Sequence, residues 1–339
     1  MINGCWLTIN RACNIKCEWC YAQNAGYSSM PFKLLLQILD FLKELNVHSI
    51  MLIGGEPTVS DDLPQIIREC KKREFYTTLI TNGLKLSNIS YFNELVDAGI
   101  DNVSLSQKAY DKESYYRVTG VDAYDKVLEA INNLKNSSVK FSVSHVLTMN
   151  DIRFIPRVLE DEKKAGAKGY AFSFCYDFDS CQLSQKKPDN PYRMWDEFKN
   201  VYPDIDRITD GAISLQLSLP VCVTDKETLS QMIEKNQIRS VCQLLKRDGL
   251  IFDTDGFLIP CNAMYKYRLG RIGEDFCDKD SFLTFLESDK IVGFYNKVLA
   301  LPDKTCKTCE ELVNCGGGCI ANWFNYSFKE LNEMRKEVN

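Results

Sequence analysis

Three cysteines near the start of the sequence could act together as metal ligands. Cys13, Cys17 and Cys20 stand in the run CNIKCEWC, separated by three residues and then by two. Thiolates at such short spacing favour zinc or an iron–sulfur cluster. A structural zinc site would use a fourth Cys or His nearby, and the run contains none. Three thiolates can instead hold a four-iron cluster whose fourth iron stays open, as a catalytic metal requires.

A second group of cysteines lies toward the end of the sequence. Its members are Cys242, Cys261, Cys306, Cys309, Cys315 and Cys319. The last four follow the pattern C-x2-C-x5-C-x3-C, a spacing that indicates clustered metal ligation. The glycines at 316–318 would let the chain fold tightly around a cluster. A structural zinc ribbon is the alternative interpretation.

Composition supports metal or redox chemistry over disulfides. The 339 residues include 15 cysteines but only two histidines, so imidazole cannot supply much of any metal site. The sequence has no signal peptide and no apolar run of transmembrane length, so we expect a cytoplasmic protein, where disulfides are rare. The net charge is −5 and no Lys/Arg run stands out, so we expect neither a nucleic acid nor a membrane as partner.

The first half of the sequence alternates short β-like runs with amphipathic helical patterns. The predicted strands are 5–10, 49–54, 76–81, 101–106, 140–148 and 169–175, each followed by a helical segment except the last. This alternation predicts an α/β fold with a parallel sheet, here a partial (βα)6 barrel of the TIM type. Functional groups would then lie on loops after the strands, where the first three cysteines stand.

The strand–helix pattern weakens after Cys175. We therefore expect two domains. The first is a barrel over residues 1–220, in which 176–220 form an irregular connection. The second is a cysteine-rich auxiliary-cluster domain over residues 221–339.

The first cysteine run resembles the motif of the radical S-adenosylmethionine (radical SAM) superfamily, C-x3-C-x-aromatic-C after the first strand. In that family the open iron chelates the amino and carboxylate groups of SAM. One electron then releases a 5′-deoxyadenosyl radical that abstracts hydrogen from a substrate. The resemblance implies SAM contacts for Trp19, Tyr21, Gly54, Gly55, Glu56, Pro57, Ser106 and Arg117. The two glycines would let backbone carbonyls approach the ligand, and Glu56 would place negative charge near the SAM ammonium.

The later cysteines resemble the SPASM extension of radical SAM enzymes, which carries auxiliary [4Fe–4S] clusters. The resemblance implies one or two such clusters. It assigns Cys242, Cys261 and Cys319 to an inner cluster, and Cys306, Cys309 and Cys315 to an outer one. The family's seventh cysteine is absent after Cys319, so each set lacks a fourth thiolate. Cys222 or Cys277 could complete one set, and an Asp, a Glu or water could complete the other. An open inner cluster could bind substrate.

Enzymes with this extension often modify ribosomally made peptides. The hypothesis is therefore a maturase that abstracts hydrogen from a peptide or protein residue, giving a crosslink, an epimerised residue or an oxidised one. An epimerase must return a hydrogen atom, for which Cys222, or else Cys175 or Cys181, is a candidate thiol donor. The alternatives are a small-molecule dehydrogenase and an anaerobic sulfatase-maturase-like oxidase. In another class, the protein would be a non-catalytic iron–sulfur protein for electron transfer or redox sensing.

Two kinds of protein partner follow from this hypothesis. A flavodoxin- or ferredoxin-type reductant would supply the electron. Because the sequence opens on the first predicted strand, we expect leader recognition from a separate protein, from residues 176–240 or from the C-terminal region.

Overall fold

One open sheet of eleven strands organises the chain. The computed structural model describes residues 2–175, 189–239, 242–300, 303–320, 323 and 327–338. The strands are β1 Gly4–Asn10, β2 Ser49–Gly54, β3 Tyr76–Thr81, β4 Asn102–Gln107, β5 Lys140–Leu147, β6 Tyr170–Phe174, β7 Ile213–Gln216, β8 Ile238–Arg239, β9 Gly249–Phe252, β10 Phe257–Leu258 and β11 Gly270–Arg271. Their order across the sheet is β11-β10-β9-β1-β2-β3-β4-β5-β6-β7-β8.

Most of the sheet is parallel. Every neighbouring pair from β9 through β1 to β8 is parallel, whereas β10 pairs antiparallel with both β9 and β11. The predicted α/β class with a parallel sheet is confirmed. Strands β8 and β11 form the two edges, so the sheet does not close on itself, as expected of a partial barrel.

Helices follow most of the strands. They are α1 Phe32–Glu44, α2 Leu63–Lys72, α3 Ile89–Ala98, α4 Lys112–Thr119, α5 Tyr124–Lys135, α6 Ile155–Ala165, α7 Pro191–Ile208, α8 Lys226–Glu234, α9 Gln243–Lys246, α10 Lys279–Leu286, α11 Asp289–Ala300, α12 Leu312–Cys315 and α13 Phe328–Lys336. In α1, Leu35, Leu39 and Leu42 recur at helical spacing and are buried. None of the described helices combines the length and the apolar character needed to cross a membrane.

The two faces of the sheet differ in burial. Along β4, Val103 and Leu105 are buried in the hydrophobic core, while Ser104 and Ser106 alternate with them and are half-buried. The same alternation continues through β5, β6 and β7. The apolar face lies under the helices, and the other face stays partly accessible because it carries small polar side chains.

The segment expected as an irregular connection, 176–220, is regular over much of its described part. It contains the amphipathic helix α7 and the strand β7, which extends the sheet beyond β6. At four residues, β7 is too short for its alternation to stand out in the sequence. The sheet also continues past residue 220, because β8 pairs with β7 and β9 pairs with β1. The division into two domains at that residue stays a prediction.

Candidate active site and cysteine clusters

The first cysteine group lies on the loop between β1 and α1. The backbone closes this loop at its base, where the Arg11 N–H donates to the Ser28 carbonyl at 2.7 Å. The loop leaves the carboxyl end of β1, and the neighbouring strands β2 to β6 run parallel to it. Cys13, Cys17 and Cys20 therefore lie at the edge of the sheet where ligand sites of parallel α/β folds occur.

Helix α4 positions the middle of this loop. The N–H of Lys16 donates to the Thr119 carbonyl at 3.0 Å, and the N–H of Glu18 donates to the Val118 carbonyl at 3.1 Å. Both carbonyls belong to the last turn of α4, where carbonyls have no partner within the helix. The sequence analysis did not predict α4, because its apolar side chains are too few to show a helical period.

The three thiols are close enough to interact electrostatically. Desolvation by the surrounding loop raises the pKa of the Cys13 thiol to about 11; the Ile15 N–H opposes this rise, while negative charge on Cys17 and Cys20 adds to it. The Ala22 N–H donates to the Cys20 sulfur at 3.4 Å. Such N–H donors favour the thiolate, the form that binds metal.

The described residues contain no ready site for a single metal ion. Among the described residues, no three Cys, His, Asp or Glu side chains are arranged to hold a metal ion. Thiolates around a single zinc all lie about 2.3 Å from it. The thiolates of a four-iron cluster bind different irons and are therefore more widely spaced.

The glycines of the GGEP run accommodate the base of the cysteine loop. A Cβ added to Gly54 would lie 2.5 Å from the Asn10 carbonyl oxygen, and one on Gly55 would lie 2.3 Å from that of Ala12. The Glu56 N–H donates to the same Ala12 carbonyl at 2.7 Å. Only glycine permits this approach. The SAM contacts expected of Gly54, Gly55 and Pro57 stay predictions.

The Glu56 carboxylate is buried and bound by the protein. It accepts hydrogen bonds from the hydroxyls of Thr58 and Thr81, both at 2.6 Å, and from the N–H of Asn82 at 2.7 Å. The Asn82 side chain in turn donates to Asn14 of the cysteine loop at 2.7 Å. Glu56 thus joins the ends of β2 and β3 to the loop, and its contact with SAM stays a prediction. The sequence analysis read Asn82 only as part of a turn.

Tyr21 and Trp19 lie on the same loop. Burial raises the pKa of Tyr21; the positive charge of Arg11 opposes this, while negative charge on Cys20 and Cys261 adds to it. Tyr21 therefore lies close to a cysteine of each group. Trp19 is half-buried. Their expected contacts with SAM stay predictions.

Ser106 and Arg117 occupy different surroundings. The Ser106 hydroxyl lies 3.0 Å from that of Ser144 on the half-buried face of the sheet. The Arg117 guanidinium lies 3.0 Å from the Asp151 carboxylate and 3.5 Å from that of Glu18, and it is 44% exposed. Arg117 therefore braces the cysteine loop, whereas SAM contacts of either residue stay predictions.

One buried polar group near the first cysteines, the Tyr115 hydroxyl, has no hydrogen-bond partner among the described residues. Burial raises the pKa of Tyr115, and negative charge on Cys17 and Glu56 adds to the rise, so its hydroxyl lies near both. Buried polar groups are normally satisfied. An unsatisfied hydroxyl beside these thiols fits a polar ligand in this space, as SAM at a cluster would be.

Six serines line the half-buried face of the sheet next to this site. They are Ser104, Ser106, Ser142, Ser144, Ser173 and Ser214, and together they are called the serine face below. Ser104 pairs with Ser142 and Ser106 with Ser144 across β4 and β5. Small hydroxyl side chains leave space above the sheet and offer both donors and acceptors.

A buried ion pair joins the two cysteine regions. The Arg11 guanidinium, next to the first cysteine loop, lies 2.7 Å from the Asp253 carboxylate, and both side chains are at most 3% exposed. Asp253 also pairs with Arg268 at 3.1 Å, and Arg11 lies over the Tyr265 ring at 4.9 Å. The sequence analysis missed this pair, because nothing local links residues 242 positions apart.

The later cysteines lie in two groups, and their roles as cluster ligands stay predictions. Burial raises the pKa of Cys261 to about 11, and negative charge on nearby Cys242 adds to the rise. Burial also raises the pKa of Cys242, opposed by several N–H groups that include Ile320, the residue after Cys319. These contacts bring Cys242, Cys261 and the Cys319 segment together.

The outer cysteines form another group. Desolvation raises the pKa of Cys306, and negative charge on Cys315 and Cys309 adds to the rise. Of the two additional ligand candidates, Cys222 lies with this group. Cys277 lies beside Asp278 and Ser281 at the beginning of α10.

Two of the hydrogen-donor candidates, Cys175 and Cys222, follow neighbouring strands of the sheet. Cys175 follows β6, its N–H donating to the Leu147 carbonyl at 2.8 Å. Cys222 follows β7 at the same edge of the sheet. Cys181 lies outside the described residues. A hydrogen-donor role for any of them stays a prediction.

Comparison with known sequences finds similarity over the first half of the chain. Residues 7–171 match the family model of the Radical SAM superfamily. A probable GTP 3′,8-cyclase of Metallosphaera sedula is 34% identical over 166 residues, 47% of this chain and 51% of the relative. A PqqA peptide cyclase of Granulibacter bethesdensis is 30% identical over 169 residues, 48% of this chain and 45% of the relative. The chain thus spans about half the length of these curated relatives.

Solved structures share the fold over nearly the whole chain. Native anSMEcpe with bound AdoMet and the Cp18Cys peptide has a TM-score of 0.71 at 21% identity, covering 100% of both chains. Streptococcus suis SuiB bound to the precursor peptide SuiA also has a TM-score of 0.71, at 18% identity over 95% of this chain and 72% of that one.

Proposed function

Because residues 7–171 match the family model of the Radical SAM superfamily, we propose that this protein uses SAM to abstract a hydrogen atom from a residue of a ribosomally made peptide or protein. Cys13, Cys17 and Cys20 would hold the [4Fe–4S] cluster that this family uses. When bound, the cluster donates one electron to SAM, whose cleavage to methionine gives the 5′-deoxyadenosyl radical that takes the hydrogen. A crosslinked, epimerised or oxidised residue would result. The observation that supports this proposal most directly is the loop with three thiols at the carboxyl edge of the sheet.

The residues around that loop suit this role. N–H groups directed at the sulfurs of Cys13 and Cys20 favour their thiolates. Burial raises the pKa of Cys17, but Lys108 opposes that rise and so favours its thiolate as well. The Tyr115 hydroxyl would donate a hydrogen bond to bound SAM.

Two observations support a peptide substrate. The serine face offers hydrogen-bonding groups suited to the amides of a peptide. Chains solved with bound peptides share this fold over nearly all of this chain, and a peptide cyclase is among its sequence relatives. The later cysteines would hold auxiliary clusters that accept an electron or relay one, and a flavodoxin or ferredoxin would act as reductant.

The first test is SAM cleavage. The full chain is reconstituted with iron and sulfide under strict anaerobiosis, given SAM and dithionite, and assayed for 5′-deoxyadenosine by mass spectrometry. We expect product from the wild type and none from Cys13→Ala. A reconstituted wild type that neither binds nor cleaves SAM would overturn the proposal.

The substrate class needs its own test. Candidate precursor peptides and GTP are each added, and the rate of 5′-deoxyadenosine formation and the mass of the added molecule are followed. We expect peptide to stimulate cleavage and to lose two hydrogens on crosslinking or oxidation, or to keep its mass on epimerisation. Stimulation by GTP alone would favour a nucleotide substrate, as in the cyclase relatives.

A further inference from the structure

The outer group of later cysteines lacks one thiolate in sequence order. Cys306, Cys309 and Cys315 would bind three irons of a four-iron cluster, and no cysteine follows Cys319. Apart from Cys319, which lies with the inner group, the other cysteines of this sequence all precede Cys306, and the candidates for a fourth thiolate are among them. The inference below rests on the proposed function only in that this region binds an iron–sulfur cluster.

The segment after β7 contacts the glycine-rich turn at close range. The Cys319 N–H donates to the Ser218 carbonyl at 2.7 Å. A Cβ added to Gly318 would lie 2.4 Å from that carbonyl oxygen, and its φ of +73° also favours glycine. Residues 218–220 and 315–319 are therefore packed backbone against backbone.

This packing brings Cys222 to the outer cysteines. The N–H of Val221, its neighbour, donates to the Cys315 sulfur at 3.3 Å, and the Gly317 N–H donates to the same sulfur at 3.3 Å. Val221 to Val223 form a short 3-10 helix, in which Val223 is buried and Cys222 is exposed.

The electrostatics of the Cys222 sulfur agree with this placement. Desolvation by the neighbouring segments raises the pKa of its thiol to about 11, and negative charge on Cys315, Cys306 and Cys309 adds to the rise. The negative charges of these three thiolates would repel a thiolate at Cys222, and the irons of a cluster would offset that repulsion.

The other cysteines have different positions. Cys242 and Cys261 interact with each other and with the segment that carries Cys319, so they belong to the inner group. Cys277 precedes Lys279, whose N–H donates to Glu44 at the end of α1 at 3.2 Å. Since α1 ends where β2 begins, Cys277 lies toward the amino ends of the strands, on the side of the sheet opposite the cysteine loop.

We propose that Cys222 is the fourth ligand of the outer cluster, together with Cys306, Cys309 and Cys315. The four thiolates saturate that cluster, so it relays electrons and leaves no iron open to substrate. The inner group, with three thiolates, keeps the open position. A Cys222 thiolate bound to iron cannot serve as a hydrogen-atom donor, and the two roles predicted for this residue are therefore mutually exclusive.

The test counts iron in a chain that lacks the first cysteines. Cys13, Cys17 and Cys20 are all replaced by Ala, so that iron and sulfide report the later cysteines only. In that background we expect Cys277→Ala to leave iron, sulfide and the Mössbauer spectrum unchanged. Cys222→Ala should lose about four irons per chain, or show the three-iron cluster signal in electron paramagnetic resonance. Iron content and spectra unchanged by Cys222→Ala would overturn the proposal, as would zinc bound through Cys222 in place of iron.

A second measurement needs no substitution. The reconstituted wild type is alkylated anaerobically with iodoacetamide and mapped by mass spectrometry. Cys222 and Cys277 are both exposed, so we expect Cys277 to be labelled at once and Cys222 only after iron is chelated. Equal labelling of both in the loaded protein would contradict ligation. Neither measurement uses SAM, so failure of SAM cleavage would count against the proposed function without affecting this inference.

Discussion

The cysteine loop after β1 and the cysteine segments after β7 achieve proximity in different ways. The first three cysteines fall within residues 13–20, and one helix, α4, holds their loop through backbone hydrogen bonds. In the later region, Val221 reaches the Cys315 sulfur across 94 positions of sequence. A local motif can therefore be predicted from its spacing in the sequence, whereas a ligand brought in by backbone packing can be identified only from the fold.

The strongest separation of the two regions should come from single cysteines. Cys17→Ala removes one of three ligands at the open cluster, so we expect no 5′-deoxyadenosine above background while the later iron is retained. Cys309→Ala should retain SAM cleavage but form no modified peptide. Product analysis with iron content on each variant measures both effects. If Cys309→Ala also abolished SAM cleavage, the two regions would not be functionally separate.

Asp253 tests how strongly the two regions are joined. Asp253→Ala leaves the buried Arg11 guanidinium without its carboxylate at 2.7 Å. Breaking a buried pair from one side destabilises by about 3–5 kcal/mol. Urea unfolding of the full chain checks this. Asp204→Ala, which removes an exposed partner of Arg207, is the control and should change the unfolding free energy by about 0–1 kcal/mol. Equal effects of the two substitutions would mean that the buried pair does not join the regions.

Two glycines should disable one region each. Gly55→Ala would press its Cβ against Ala12 below the cysteine loop, and Gly318→Ala against Ser218 below Cys222. Each clash should destabilise by about 1–3 kcal/mol. We expect Gly55→Ala to reduce SAM cleavage. Gly318→Ala should reduce only the iron bound by the later cysteines. Gly26→Ala is the control, because Gly26 has a positive φ but nothing lies within 4 Å of an added Cβ. We expect this variant to retain both SAM cleavage and the iron of the later cysteines. If either glycine variant lost both SAM cleavage and the iron of the later cysteines, the two regions would not be functionally separate.

Arg117 should give the smallest change in stability. Its partners are Asp151 and Glu18, and the side chain is 44% exposed. Such a pair contributes about 0–1 kcal/mol, so Arg117→Ala should unfold nearly like the wild type. If Arg117 also binds the SAM carboxylate, KM for SAM rises while kcat changes less. Unchanged KM would leave Arg117 only its bracing role.

The sequence predicted the regular half of the molecule well. Strands β2 and β3 have the predicted bounds, and β1 begins one residue earlier than predicted, because alternating burial over six or seven residues is a strong signal. Strands β7 to β9 have two to four residues and left no such signal. Helix α4 was missed because its apolar side chains, Tyr115, Tyr116 and Val118, are too few to show a helical period.

The candidate site was predictable where it depends on spacing and not where it depends on contacts. Cys13, Cys17 and Cys20 were recognised by spacing alone. The second role of Gly55, against the base of the loop, and the ion pair of Arg11 with Asp253 needed the tertiary structure, since each joins segments far apart in sequence. Neither leaves a local pattern that could be recognised beforehand.

The position of β1 between β2 and β9 also bears on how the chain folds during translation. Gly4 pairs with Gly249, 249 − 4 = 245 positions later. Closing a loop of that length opposes folding by on the order of 5 kcal/mol. Until residues 249–252 have left the ribosome, the nascent chain carries β1 with one edge unpaired, a surface open to wrong pairing. The first cysteine loop meanwhile is already synthesised. Delivery of iron to the nascent protein would thus reach Cys13, Cys17 and Cys20 before the later cysteines have emerged.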